Sequence, residues 1–144
     1  MKKTIISLIW FLLFFTNISF ADTNDIKQTI KDIELVNNNI NIIVKKVIGD
    51  EKLDINALEK DIKFSESILG ERTKKVSSLY TTESNAELKN GYSILLNSLS
   101  YYALTLSNLE AYIHDESKVS NFIDTCANYR QGNITLLILQ SIYE

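Results

Sequence analysis

Proline is absent from the 144-residue chain, and several other residue types that commonly organise a protein are nearly absent. The sequence has one cysteine, one histidine, one methionine and four glycines. Without proline, the commonest helix breaker is missing, so long uninterrupted helices are feasible. With a single cysteine, no disulfide can form within the chain, and the domain has to be stable through its core alone.

The scarcity of histidine, methionine and cysteine excludes several cofactors that helical proteins carry. Covalent haem attachment needs a C-x-x-C-H sequence, which is absent, and the only methionine is Met1. A di-iron site needs two Glu-x-x-His motifs, whereas the only histidine, His114, has Glu110 four residues before it. Residues 114–116, HDE, offer at most a weak metal site. We interpret His114 as a last-turn residue that interacts with the helix dipole, and we expect no cofactor and no metal.

No group of residues predicts catalysis. A nucleophilic role for Cys126 requires a base and an orienting group beside it, and the sequence gives no sign of either. We expect Cys126 to be a small buried apolar residue, with an intermolecular disulfide as the alternative. The net charge of −3 comes without a dense basic cluster, which argues against a nucleic-acid partner.

The N-terminus has the pattern of a secretory signal peptide. Lys2 and Lys3 precede an apolar run over residues 5–15, which is shorter than the roughly 20 residues that a membrane span needs. Small residues then end at Ala21, before acidic Asp22, as in a cleavage site. We therefore predict a leader over residues 1–21 and a mature domain over 22–144 that is periplasmic or secreted and not stably anchored in the membrane.

An uncleaved signal anchor is the alternative for this leader, and it would also place the rest of the chain outside the cytoplasm. A lipid anchor is excluded because the only cysteine lies far from the cleavage region. The bias towards lysine, isoleucine and asparagine indicates an AT-rich bacterial genome. A Gram-negative periplasm is favoured over a Gram-positive exterior, and both remain open.

Four series of apolar residues recur at steps of three and four, the spacing of one helix face. The series are Ile26, Ile30, Ile33, Ile40, Val44 and Val47; Ile55, Leu58, Ile62, Leu69, Val76 and Leu79; Leu88, Tyr92, Leu95, Leu99, Tyr102, Leu106, Leu109 and Ile113; and Val119, Phe122, Cys126 and Tyr129. The C-terminal segment ITLLILQSIYE has the composition of a strand, but we predict helix because no other segment offers it a pairing edge. Short connections predict an all-α, antiparallel up-down-up-down four-helix bundle behind the leader.

Polar residues mark the ends of the predicted helices. Gly49 is expected to end the first helix in a left-handed conformation, and Asp54 to cap the second. Ser84, with Glu87 three residues later, predicts a capping box for the third helix, and Asp115 is expected to cap the fourth. Three glycines fall inside predicted helices, at a cost of up to about 1 kcal/mol each: Gly70, Gly91 and Gly132.

Polar residues within the apolar series are expected to meet at mid-bundle. Counting about 1.5 Å per residue from each loop places Asn37, Ser65, Tyr102 and Tyr129 at similar heights. A hydrogen-bonded layer of this kind fixes the register of the helices. The alternative is a small polar pocket in which a ligand completes the set.

The C-terminal segment supplies a second candidate site. Apolar residues surround this predicted helix on nearly all sides, more than one buried face needs. Leu136 and Leu139 therefore either belong to the core or form a homodimer or partner interface. The expected function is non-catalytic interaction with an unknown protein partner or a second copy, with small-ligand binding as the alternative.

Overall fold

The structure, a computed structural model, describes residues 2–49 and 53–144, with side chains from residue 23 onward. It contains four helices: α1, Lys2–Ile48; α2, Ile55–Thr82; α3, Ala86–His114; and α4, Val119–Tyr143. No strand occurs in these described ranges, so the prediction of an all-α, four-helix fold is confirmed. The side chains of the predicted leader, residues 1–21, lie outside the described part, and the domain boundary at residue 22 stays a prediction.

A single apolar core lies between the helices. The side chains that build it from α1, α2 and α3 largely follow the spacing expected of one buried helix face. They are Ile26, Ile30, Ile33, Val36, Ile40, Ile43, Leu58, Ile62, Leu69, Val76, Tyr92, Leu95, Leu99, Tyr102, Leu106, Leu109 and Ile113. Between the described residues, α1 and α3 contact each other and both remaining helices, whereas α2 and α4 do not contact each other. Among the described residues, no helix combines the length and apolar character that a membrane span requires.

The buried face of α4 is displaced from the one that its sequence predicted. Of the predicted residues, Phe122 and Tyr129 are half-buried, and Tyr129 packs against the core. The expected core residues Val119 and Cys126 are exposed, whereas Thr125 and Gly132 are buried. Thr125 can enter the core because its hydroxyl donates to the Asn121 carbonyl oxygen at 2.8 Å, which satisfies its polar group. The expectation of a buried Cys126 is therefore wrong.

The helix starts agree in part with the predicted caps. Asp54 caps α2 as predicted, since its carboxylate accepts a hydrogen bond from the Ala57 amide at 3.1 Å. Ser84 was expected to cap α3, but the cap is Asn85, whose side-chain oxygen accepts from the amides of Glu87 and Leu88. The helix begins one residue later than predicted, and an Asx side chain serves this purpose as well as serine does.

Two further predictions at helix ends are wrong, the cap role of Asp115 and the left-handed conformation of Gly49, although α1 does end at Ile48, directly before that glycine. Asp115 follows the end of α3 and accepts from the Ser117 amide and hydroxyl, while α4 starts after Lys118 without a side-chain cap. Gly49 donates its amide to the Lys45 carbonyl oxygen, and no glycine of the described residues has a positive φ. The amide of Gly49 thus continues the helical hydrogen-bond pattern, which requires no left-handed residue.

Two of the glycines inside helices permit close contact between α3 and α4. A Cβ atom added to Gly132 would lie 3.1 Å from the Tyr102 ring, and one added to Gly91 would overlap the Tyr143 hydroxyl. Each helix therefore presents a glycine to a tyrosine of the other helix. Gly70 differs from both, because an added Cβ would meet nothing within 4 Å.

We expect Gly132→Ala to destabilise the protein by about 1–3 kcal/mol, because the new methyl group forces the buried Tyr102 ring away from α4. Gly70→Ala provides a matched control. It adds the same methyl group to a helix interior without a contact, so it is expected to stabilise by up to about 1 kcal/mol. Urea denaturation of both variants measures the difference. Equal stability of the two variants would contradict the close packing at Gly132.

Candidate functional site: a polar groove between α1 and α4

A hydrogen bond between two predicted layer residues joins α4 to α1. The Tyr129 hydroxyl donates to the Asn37 side-chain oxygen at 2.5 Å, across 92 positions of sequence. Both side chains are half-buried. Because a partly buried amide or phenol without a partner costs free energy, this pair favours one register of α4 on α1.

A second tyrosine–asparagine pair lies beside the first. The hydroxyl of Tyr102, a fully buried side chain of α3, donates to the Asn133 side-chain oxygen at 2.8 Å. The rings of Tyr102 and Tyr129 meet edge to face, with centroids 6.2 Å apart and an angle of 81°. This geometry is favourable for aromatic pairs. Three of the four predicted layer residues, Asn37, Tyr102 and Tyr129, therefore belong to one connected set.

Ser65, the fourth predicted layer residue, has its hydrogen bonds elsewhere. It is fully buried in α2, where its hydroxyl donates to the Asp61 carbonyl oxygen at 3.0 Å and accepts from the Asn39 side chain at 3.4 Å. Asn39, two positions beyond Asn37, is on the side of α1 that faces α2. The serine thus contributes to an α1–α2 contact, and the structure does not bring it to the tyrosines.

A groove of about 380 Å³ lies between α1 and α4 beside the tyrosine–asparagine pairs. Its lining consists mainly of side-chain amides, with one carboxylate and two leucines: Glu34, Asn37, Asn38, Asn133, Leu136, Leu137 and Gln140. At one end, the Gln140 amide donates to the Glu34 carboxylate at 2.5 Å. The volume is within the range of sites for small molecules, and Glu34 is the only charged residue of the lining.

Sequence reasoning missed Asn133, Gln140 and Glu34 as members of this site. Asn133 lies four residues after Tyr129, on the same side of α4, and this helical spacing was an available signal. Gln140 and Glu34 are separated by 106 positions, so only the packing of α4 on α1 brings them together.

Leu136 and Leu139 belong to the core, with 4% and 0% of their surface exposed. This placement corresponds to the core alternative, because both side chains belong to the apolar core cluster and almost none of their surface is exposed. The exposed apolar residues of α4 are others: Val119, Ile123, Ile134, Leu137, Ile138 and Ile142.

The remaining candidates from the sequence do not form a metal site within the described residues. His114 is exposed in the last turn of α3, and its Nε2 lies 3.1 Å from a Glu59 carboxylate oxygen. No group of three metal-binding side chains was found in the part of the chain that the structure describes.

The Tyr102 phenol gives the site a measurable dependence on pH. Burial, and to a lesser extent the neighbouring Tyr129, raises the pKa of the Tyr102 phenol far above its ordinary value. The folded protein therefore holds this proton more tightly than the unfolded chain, in which tyrosine ionises near pH 10. The stability from the neutral phenol is present below about pH 10 and is lost as the pH rises through the folded-state pKa.

We expect the free energy of unfolding to fall above about pH 10, because the unfolded chain then releases the Tyr102 proton. In Tyr102→Phe, which has no phenol to ionise there, the fall is expected to be shallower, although the variant is less stable at neutral pH. Urea denaturation at a series of pH values measures both slopes. A variant that loses stability as steeply as the unmodified protein would contradict the role of Tyr102.

Comparison with known proteins adds no relationship to this geometry. No protein-family model, curated protein or solved structure matches the chain.

Proposed function

We propose that the chain is an exported, non-catalytic protein whose mature domain, residues 22–144, binds another protein through the outer face of α4. The observation that carries this proposal is the exposure of apolar residues along that helix. Of the large apolar side chains exposed in the described residues, half are on α4. An apolar surface of this kind, concentrated on one element, is typical of an interaction site.

The proposed architecture is an antiparallel up-down-up-down bundle, and the contacts between helices support it. As residue numbers rise along α1, the numbers of their partners in α2 fall, as in the pairs Asp25–Lys75 and Lys46–Asp61. The pairs Tyr102–Asn133 and Tyr112–Phe122 follow the same rule for α3 and α4. In such a bundle α4 packs against α1 and α3 and presents its third side to solvent.

The outer face of α4 has the spacing of a helix-packing surface. We define it as Ile123, Ala127, Arg130, Ile134 and Leu137, whose steps alternate between four and three residues. All five side chains are exposed. Residues at this spacing form the narrow apolar stripe through which one helix packs against another.

Arg130 determines which partner fits this face. It is at the middle of the stripe, and no carboxylate of the described residues is within ion-pair distance of it. A symmetric pair of α4 helices centred there would bring two guanidinium groups together, which costs several kcal/mol. The partner that fits is therefore an amphipathic helix of another protein with a carboxylate opposite Arg130.

The polar groups of the domain support a role without catalysis. The best-defined set consists of phenol–amide pairs, and amides neither accept nor release protons near neutral pH. The raised pKa of Tyr102 keeps its phenol protonated, so it serves as a hydrogen-bond donor and not as a base.

We expect Ile123→Asp and Arg130→Glu each to weaken binding of the native partner at least tenfold, since one places a charge in the apolar stripe and the other reverses the central charge. Leu104→Asp is the matched control, because it places the same carboxylate on an exposed leucine of α3. Affinity capture with the mature domain, followed by titration of the captured partner, measures the effect.

The charge argument can be tested on both proteins. Replacing the partner's carboxylate by lysine is expected to restore binding to Arg130→Glu and to no other variant. Unchanged binding by Ile123→Asp would exclude the outer face of α4. Reversible dimerisation of the mature domain that Ile123→Asp abolishes would assign the face to a second copy of the chain instead.

Export is supported by the pattern of Lys2, Lys3, the apolar run over residues 5–15 and the small residue Ala21. We expect the protein from its native host to begin at Asp22 and to remain in the supernatant when membranes are sedimented. N-terminal sequencing of both fractions measures this. Protein that begins at Met1 in the membrane pellet would contradict cleavage.

A second candidate function is the binding of a small polar molecule in the groove between α1 and α4. The observation that favours it is the convergence of four side-chain amides and one carboxylate on a single cavity. A few convergent polar groups in a cavity of this size are typical of a ligand site. The groove and the outer face of α4 share only Leu137, so the two functions can be tested separately.

A further inference from the structure

The hydrogen bonds of Tyr129 and Tyr102 determine which polar atoms of the groove can still bind a ligand. Each phenol donates to an asparagine side-chain oxygen, Tyr129 to Asn37 and Tyr102 to Asn133. An asparagine amide has one acceptor oxygen and one amino group with two donors. With both oxygens engaged, the two Nδ2 amino groups remain as donors, and no hydrogen bond among the described side chains uses either one.

Two other residues of the lining, Glu34 and Gln140, offer acceptors. Gln140 donates to one oxygen of the Glu34 carboxylate, which orients both side chains. The second Glu34 oxygen and the Gln140 side-chain oxygen keep their acceptor capacity. The groove therefore combines two fixed amino donors with a fixed carboxylate, and it contains no positive charge.

This combination discriminates between classes of ligand. An anion is disfavoured because Glu34 repels it and no cation of the lining compensates. A cation fits Glu34 but can accept nothing from the two asparagine amino groups. A hydroxyl group fits both, because it donates to a carboxylate and accepts from an amide at the same time.

Neighbouring hydroxyl groups on one rigid ring satisfy several of these atoms together. Leu137, whose side chain is exposed, adds an apolar surface that suits the C–H face of such a ring. The volume of about 380 Å³ is sufficient for a small ring compound.

We propose that the groove binds a neutral saccharide unit, whose hydroxyl groups accept from Asn37 and Asn133 and donate to Glu34. This inference rests on the second candidate function, because it names the ligand class of that same groove. Three features of the lining support it: the side-chain amides, the single carboxylate and the exposed Leu137.

The test is an NMR titration of the mature domain that follows the side-chain amino resonances of Asn37 and Asn133. The probes are D-glucose, D-galactose and N-acetyl-D-glucosamine, with glycine and putrescine as zwitterionic and cationic comparisons. At least one sugar is expected to shift both amino resonances in a saturable manner, whereas glycine and putrescine leave them unchanged.

Asn133→Asp is the decisive variant. The aspartate keeps an oxygen for the Tyr102 hydroxyl but replaces the free amino donors by an acceptor, so sugar binding is expected to weaken at least tenfold. Asn37→Asp makes the same change at the other pair, and it serves if the first variant does not fold. Asn97→Asp, at an exposed position of α3, is the matched control and is expected to bind as the unmodified protein does.

The outcomes separate the ligand class from the function of the groove. Binding of glycine or putrescine with the same dependence on Asn37 and Asn133 would overturn the saccharide class and leave a ligand-binding groove. If no probe shifts either amino resonance, both the saccharide inference and the second candidate function fail. Sugar binding that Asn133→Asp and Asn37→Asp leave unchanged would place the ligand outside the groove and overturn the inference.

Discussion

The burial of Tyr102 against Gly132 is the contact on which the polar part of the structure depends. Because Gly132 has no side chain, the Tyr102 ring can approach α4 closely there and remain fully buried. From that position its hydroxyl donates to Asn133, and its ring meets that of Tyr129 edge to face. The Tyr129 hydroxyl in turn donates to Asn37 on α1. The close approach of α3 and α4 thus orients one amide on α4 and, through Tyr129, one on α1, and these two amides are the donors of the groove.

The two sides of α4 differ in composition and in exposure. The inner side combines small and polar residues, Thr125 and Gly132 among them, and its leucines complete the core. The outer side has exposed apolar residues, among them Ile123, Ile134 and Leu137, and Arg130 lies between them. A helix that is apolar on nearly all sides cannot bury every such residue against two neighbours, so the excess is on the surface.

Sequence reasoning predicted most of the core of α1, α2 and α3, because apolar residues at steps of three and four specify one face of a helix. It wrongly included Ile55, which is exposed, and it missed the buried Val36 and Ile43. It predicted Asp54 as a cap for the same local reason. It failed on α4, where apolar residues on several faces left the choice to tertiary packing, and Cys126 was placed inside. Counting residues along each helix predicted that Asn37, Tyr102 and Tyr129 lie at similar heights in the bundle, and the structure connects them. The height of a residue does not determine towards which neighbouring helix its side chain points. Ser65 therefore accepts a hydrogen bond from Asn39 instead. Glu34 and Gln140 gave no local signal, because these hydrogen-bond partners are far apart in sequence.

The absence of contact between α2 and α4 in the described residues has a consequence for local opening. Both helices pack on the same central pair, α1 and α3, which also contact each other. If either outer helix detaches, the contacts among the other three helices are all retained, and the loss is confined to the surfaces that it covered. Either α2 or α4 can therefore open as a unit at less than the cost of global unfolding. Exchange of amide hydrogens in α2 and α4 would then be faster than in α3, which both of them cover.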